Sequence, residues 1–155
     1  MGTRCVIGRV LEDGVIAFAW CSHDGYVDGA GAMLLKHYAD PAKVAELVAL
    51  GDISGVEAWP AECRVYDDGV KEAPVSLAGF VAEAREAGYG YLFTSDGWQV
   101  LCGSRTRWVP LAHAVAVEAV VRKHGDEDSA VLAHALALLG GDVDKAVAMA
   151  KAERP

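Results

Sequence analysis

Two stretches of this chain share one grammar, and between them they restrict the fold more than anything else in it. Residues 4–21, "RCVIGRVL", "EDG", "VIAFAWC", and residues 89–103, "YGYLFT", "SDG", "WQVLCG", each place an acidic-glycine turn between two β-rich apolar runs. That is the short-range signature of a β-hairpin. Hairpins separated by helices point to α+β architecture rather than to an alternating parallel design. The expectation is an antiparallel sheet of two hairpins with intervening helices.

Those helices are written in their caps. "DPAKVAELVALG" has Asp40 as N-cap, Pro41 at the first helical position and Gly51 as the stop, and "GAMLLKHYA" before it reads as a shorter helix. "SLAGFVAEAREAG" repeats the pattern, with Ser76 starting, Gly88 ending, and Leu77, Phe80, Val81 and Ala84 on one face. Between them "DISGVEAWPAECRVYDDGVKEAPV" is rich in turn residues and is expected to be irregular, with one strand at 61–66. From Pro110 onward the chain is Ala-rich and β-poor, which gives a helical C-terminal tail. Small alanine faces bury little area, so these helices need another surface: the sheet, or the same tail in a homodimer. The expected organisation is a single α+β domain over 1–155, with 110–155 as a helical extension packed on it.

Charge and cysteine usage narrow the function. Fourteen Lys and Arg against 22 Asp and Glu give a net charge of −8, which offers no footprint for phosphate backbones, so nucleic acid is not expected as a partner. The break "GGD" between helical segments near the end has the form of a helix-turn-helix, but its second helix is too neutral for DNA. Cys5, Cys21, Cys63 and Cys102 stand singly in apolar surroundings without a CxxC pair, which fits free thiols of a reducing cytoplasm. No run of 18 apolar residues occurs, and Val6 spoils an N-myristoylation pattern. A cytoplasmic protein without membrane contact is expected.

"WCSHDGYVDGAG", residues 20–31, concentrates the candidate chemistry. Cys21 and His23 give two zinc ligands of the four required, and no second close pair exists, so neither a metal nor any other cofactor is expected. Positions 21 and 23 of a strand share a face, so Cys21, His23 and Asp24 form a candidate nucleophile, base and orienting group. The aspartates and glycines also suit a plain strand-to-helix turn. Trp20, His23, Asp24 and Tyr26 around a glycine-loosened backbone have the mixture of rigid aromatics and polar tips found at binding surfaces. A second candidate surface is Trp98 with Arg105 and Arg107, which could stack or grip an anion, or else cover apolar surface and pair with acids.

In order along residues 1–111, the opening "TRCVIG" strand, the "CSHDGY" loop, "HY", the helix ending "LGDIS" and the "YLFTSDGW" hairpin resemble a family of small phage and prophage proteins. The resemblance implies a role rather than a reaction: an accessory protein of the infected bacterial cytoplasm that contacts a host or phage protein. With no complete catalytic set, that non-enzymatic role is the leading expectation. An enzyme or small-ligand-binding protein using loop 20–31 is the alternative.

Overall fold

In a computed structural model that describes residues 2–103 and 107–124, β1 (Cys5–Val10) and β2 (Ile16–Cys21) pair antiparallel from Cys5 opposite Cys21 to Val10 opposite Ile16. Gly14 turns the chain between them at φ 85°. The chain then makes one π-helical turn (Val27–Gly31), α1 (Ala32–His37), α2 (Pro41–Ala49) and α3 (Leu77–Ala87). Next come β3 (Tyr89–Thr94), β4 (Gly97–Cys102), the two-residue β5 (Val109–Pro110) and α4 (Leu111–His124). The expected caps form. Asp40 Oδ1 accepts from the Ala42 amide at 3.0 Å, Ser76 Oγ from the Gly79 amide at 3.1 Å, and Gly88 ends α3 at φ 113°.

The α+β class holds, but the sheet is mixed rather than antiparallel. Its strand order is β2-β1-β3-β4-β5, and β1 and β3 lie side by side in parallel, Val6 beside Gly90 and Arg9 beside Phe93. Turn chemistry is local and says nothing about how distant strand pairs join. The relevant signal is burial: Cys5–Gly8 and Gly90–Leu92 are buried at every position, the mark of central strands covered on both faces.

Helices supply that cover on each side. On one face α3 sets Phe80 and Ala84 against Val6, Phe18, Leu92 and Leu101. On the other, α1, α2 and α4 set Leu34, Val44, Leu47 and Leu111 against Ile7, Tyr91 and Val100. Leu111, Ala114 and Val117 of α4 are buried, so the start of the tail joins the same core. The helices expected beyond residue 124 lie outside the described residues.

The 61–66 strand reduces to a 3₁₀ turn (Pro60–Glu62) followed by a single bridge from Val65 to Ile53. Ile53 bridges in turn to Cys21, and Val75 exchanges both backbone hydrogen bonds with Ile16 at 2.7 and 3.0 Å. These segments flank the outer edge of β2.

Glycines let α3 approach the central strands. A Cβ added at Gly8 would come within 2.7 Å of the Phe80 ring, and one at Gly90 would collide with the Ala84 methyl. A Gly90→Val substitution is therefore expected to cost roughly 1–3 kcal/mol through overpacking. Urea unfolding measures it, and Ala84→Gly in the same chain should recover part of the loss. Undiminished stability of Gly90→Val would mean that α3 does not rest on β3.

Candidate functional site

The segment after Cys21 is held by the core on one side and by the chain termini of other elements on the other. Asp24 adopts φ 57°, a left-handed conformation that aspartate tolerates better than most residues. Gly25 follows so closely against β1 that a Cβ there would sit 2.6 Å from the Arg4 carbonyl carbon. Its amide donates to Thr3 O at 2.8 Å, and its carbonyl accepts from the Tyr91 hydroxyl at 2.7 Å. Tyr91 comes from β3 and is fully buried, with burial pushing its hydroxyl pKa well up, so it stays a neutral donor. The Ala30 amide returns to Asp24 O at 2.7 Å, and the His23 amide donates to Ser54 O at 2.9 Å. The stretch is a strand-to-helix connection, and a rigid one.

Its outer side forms one wall of a hollow of about 220 Å³. Asp24, Tyr26, Asp28 and Met33 line that wall, and Gly55, Val56 and Glu57 face them. The Tyr26 hydroxyl donates to Asp24 Oδ1 at 3.2 Å, while its ring remains 36% exposed at the rim. Glu57 is positioned from within. Its carbonyl accepts from the Tyr38 hydroxyl at 2.7 Å, and its amide donates to Cys63 Sγ at 3.3 Å. Burial raises both the Tyr38 hydroxyl and the Cys63 thiol, which keeps both neutral beside the Glu57 and Glu62 carboxylates.

The other expected site residues are placed elsewhere. Cys21 is 0% exposed, and its Sγ reaches the His23 carbonyl oxygen at 3.3 Å rather than the imidazole. His23 is exposed, with Nδ1 3.2 Å from Ser54 O. Cys21, His23 and Asp24 therefore do not assemble as nucleophile, base and orienting group. Trp20 points to the opposite face of the sheet. There its Nε1 donates to Glu83 Oε2 at 3.1 Å under the Arg4 guanidinium, so it clamps the hairpin to α3 and forms no wall of the hollow.

Trp98 is a core residue, not a stacking surface: it is 6% exposed and its indole donates to Tyr38 O at 2.8 Å. Arg107 is exposed, while its neighbour Trp108 stacks on Phe80 at 6.1 Å between ring centroids. Arg105 lies outside the described residues. Glu57 and Met33 escaped the sequence reading: Glu57 approaches loop 24–28 through the nonlocal bridge between Ile53 and Cys21, and Met33, on the helix that follows the loop, reads only as one apolar helical residue among several.

A separate acidic group surrounds Trp20. Asp52 Oδ1 accepts the Trp20 amide at 3.0 Å, Glu83 holds the indole, and Glu72 lies against Asp52. Burial first, and then the Asp52 carboxylate, raise the Glu72 pKa. Among the described residues no three His, Cys, Asp or Glu side chains are grouped so as to hold a metal ion. No helix of the described residues is long and apolar enough to cross a membrane. No family model, curated protein or solved structure matches the chain.

Two measurements follow from these contacts. Tyr91→Phe strands a buried carbonyl at Gly25 and should cost about 1–2 kcal/mol, with faster amide exchange at Gly25 and Ala30 than elsewhere in the sheet. A raised carboxyl pKa stabilises the fold at low pH, and that contribution is lost as pH rises through the folded value. Glu72→Gln should therefore stabilise the protein at neutral pH, and its advantage over the native chain should vanish as pH falls below the ordinary glutamate range. Paired denaturation curves across pH read the difference.

Proposed function

We propose that this chain is a phage-encoded accessory protein of the bacterial cytoplasm that works by protein–protein contact. It receives a lysine or arginine side chain of a host or phage partner in the hollow between residues 24–33 and 55–57. The observation that carries this reading is the Tyr26–Asp24 pair: an aromatic ring and a carboxylate, hydrogen-bonded at 3.2 Å on a backbone tied to the core through Tyr91. Exposed rigid aromatics beside fixed acids are what an interface hot spot for a basic side chain requires. At about 220 Å³ the hollow is smaller than the usual pocket for a drug-sized ligand and suits the end of one side chain. The net charge of −8 favours encounter with a basic surface. The motif order in residues 1–111 supports the phage assignment.

Nucleophilic catalysis by loop 20–31 finds no support in this geometry. A thiol without access to solvent, aimed at a carbonyl oxygen, has neither a base nor a route for substrate.

The test is capture from lysates of phage-bearing and phage-free bacterial hosts, using the native chain and Tyr26→Ala and Glu57→Gln variants. A discrete partner should be retained by the native chain, weaken at least tenfold with either variant, and dissociate as salt is raised. Retention indifferent to both substitutions, or recovery of chaperones alone, would sink the assignment.

A further inference from the structure

The segments that border β2 leave one gap. Val75 exchanges backbone hydrogen bonds with Ile16, and Asp52 and Ile53 occupy the Trp20 amide and carbonyl. Phe18 lies between these two positions, and strand alternation turns its amide and carbonyl to the same outer edge. Among the described residues no group bonds to either. The Phe18 ring goes to the far face of the sheet, edge-on to Phe80, so its backbone is what borders the gap.

A cavity of about 240 Å³ opens there, between that edge of the sheet and α2. Ala17 and the Ala45 and Ala49 methyls of α2 give it an apolar wall of small side chains. Its charged groups are Arg9, Lys71 and Glu72. Arg9 comes from β1, opposite Ala17, and its Nε–H is shut off from solvent without an acceptor. A guanidinium half withdrawn from water with a starved N–H lacks the acceptor that such groups ordinarily find. Lys71 adds a second positive charge at the exposed rim. Glu72 opposes them, but burial, and then the Asp52 carboxylate, raise its pKa and weaken that opposition. In a chain of net charge −8, this cavity carries more positive than negative groups.

A guanidinium fork and a peptide N–H are the donors that a planar carboxylate takes best. A dianion such as phosphate would leave oxygens against the alanine methyls and face Glu72 with twice the charge. We propose that this cavity binds a short-chain monocarboxylic acid, its carboxylate between the Arg9 guanidinium and the Phe18 amide and its alkyl stem on the alanines of α2. The site is separate from the hollow at residues 24–33 and does not rest on the reading of that hollow.

The full chain, isotope-labelled, is titrated with sodium butyrate at neutral pH and constant ionic strength and followed by heteronuclear NMR. The Arg9 Nε–H and Phe18 amide signals should shift together and saturate with one Kd. Each methylene added from acetate to butyrate should tighten binding by up to about fourfold, and butanol, which keeps the stem without the charge, should leave both signals in place. These titrations use the native chain alone, so the outcome does not hang on the folding of a variant. Arg9→Lys should weaken butyrate binding at least tenfold, because an ammonium offers no fork. Glu72→Gln, which removes the opposing charge, should tighten it. Shifts that never saturate, equal shifts with butanol, inorganic phosphate binding as tightly as butyrate, or weaker binding by Glu72→Gln would each overturn the proposal.

Discussion

The parallel contact between β1 and β3 is the constraint on which the rest of this structure depends. It joins two strand pairs that are separated by residues 22–88 and makes both central strands apolar on both faces. A sheet with such a centre exposes two apolar surfaces, each of which must be covered. The long segment between β2 and β3 does this in order: α1 and α2 go to one face, α3 to the other. The glycines at 8 and 90 follow from the same requirement, because α3 lies over the middle of the sheet only where two neighbouring strands carry no side chain toward it.

The candidate site inherits its rigidity from that centre. Tyr91 sits on β3 and holds the Gly25 carbonyl, so the hollow's inner wall is fixed to the central strand of the sheet. Tyr38 does the same for the facing wall, holding the Glu57 carbonyl while its own carbonyl takes the Trp98 indole. Two buried phenols thus set the spacing between loop 24–28 and residues 55–57. A surface preorganised in this way loses little conformational entropy when a partner seats on it.

What the sequence made legible was local chemistry. The caps at Asp40, Ser76 and Gly88 and the turns at 12–14 and 95–97 are settled by residues a few positions apart. The parallel register was not legible, since two hairpins can join edge to edge in several ways and the turn residues are the same in each. Aromatic roles failed for a related reason. Trp20 and Trp98 carry a large apolar body and one polar tip, which suits a binding surface and a hydrogen-bonded core equally well; only the partners Glu83 and Tyr38 distinguish them. Asp24 and Tyr26 read correctly as neighbours because they bond across one intervening residue. Glu57 did not, because it arrives through the bridges at Ile53.

The flanking of β2 by Val75 and Ile53 bears on how this molecule meets others. Ile16, Trp20 and Ser22 already commit their outward backbone groups to those segments, and β5 at the other side of the sheet is two residues long and includes a proline. Among the described residues, the β2 border therefore presents no free ladder long enough to template a foreign strand. Strand addition, and the runaway version of it that produces fibrils, are therefore disfavoured at that border. A partner that meets the molecule along β2 reads side chains there.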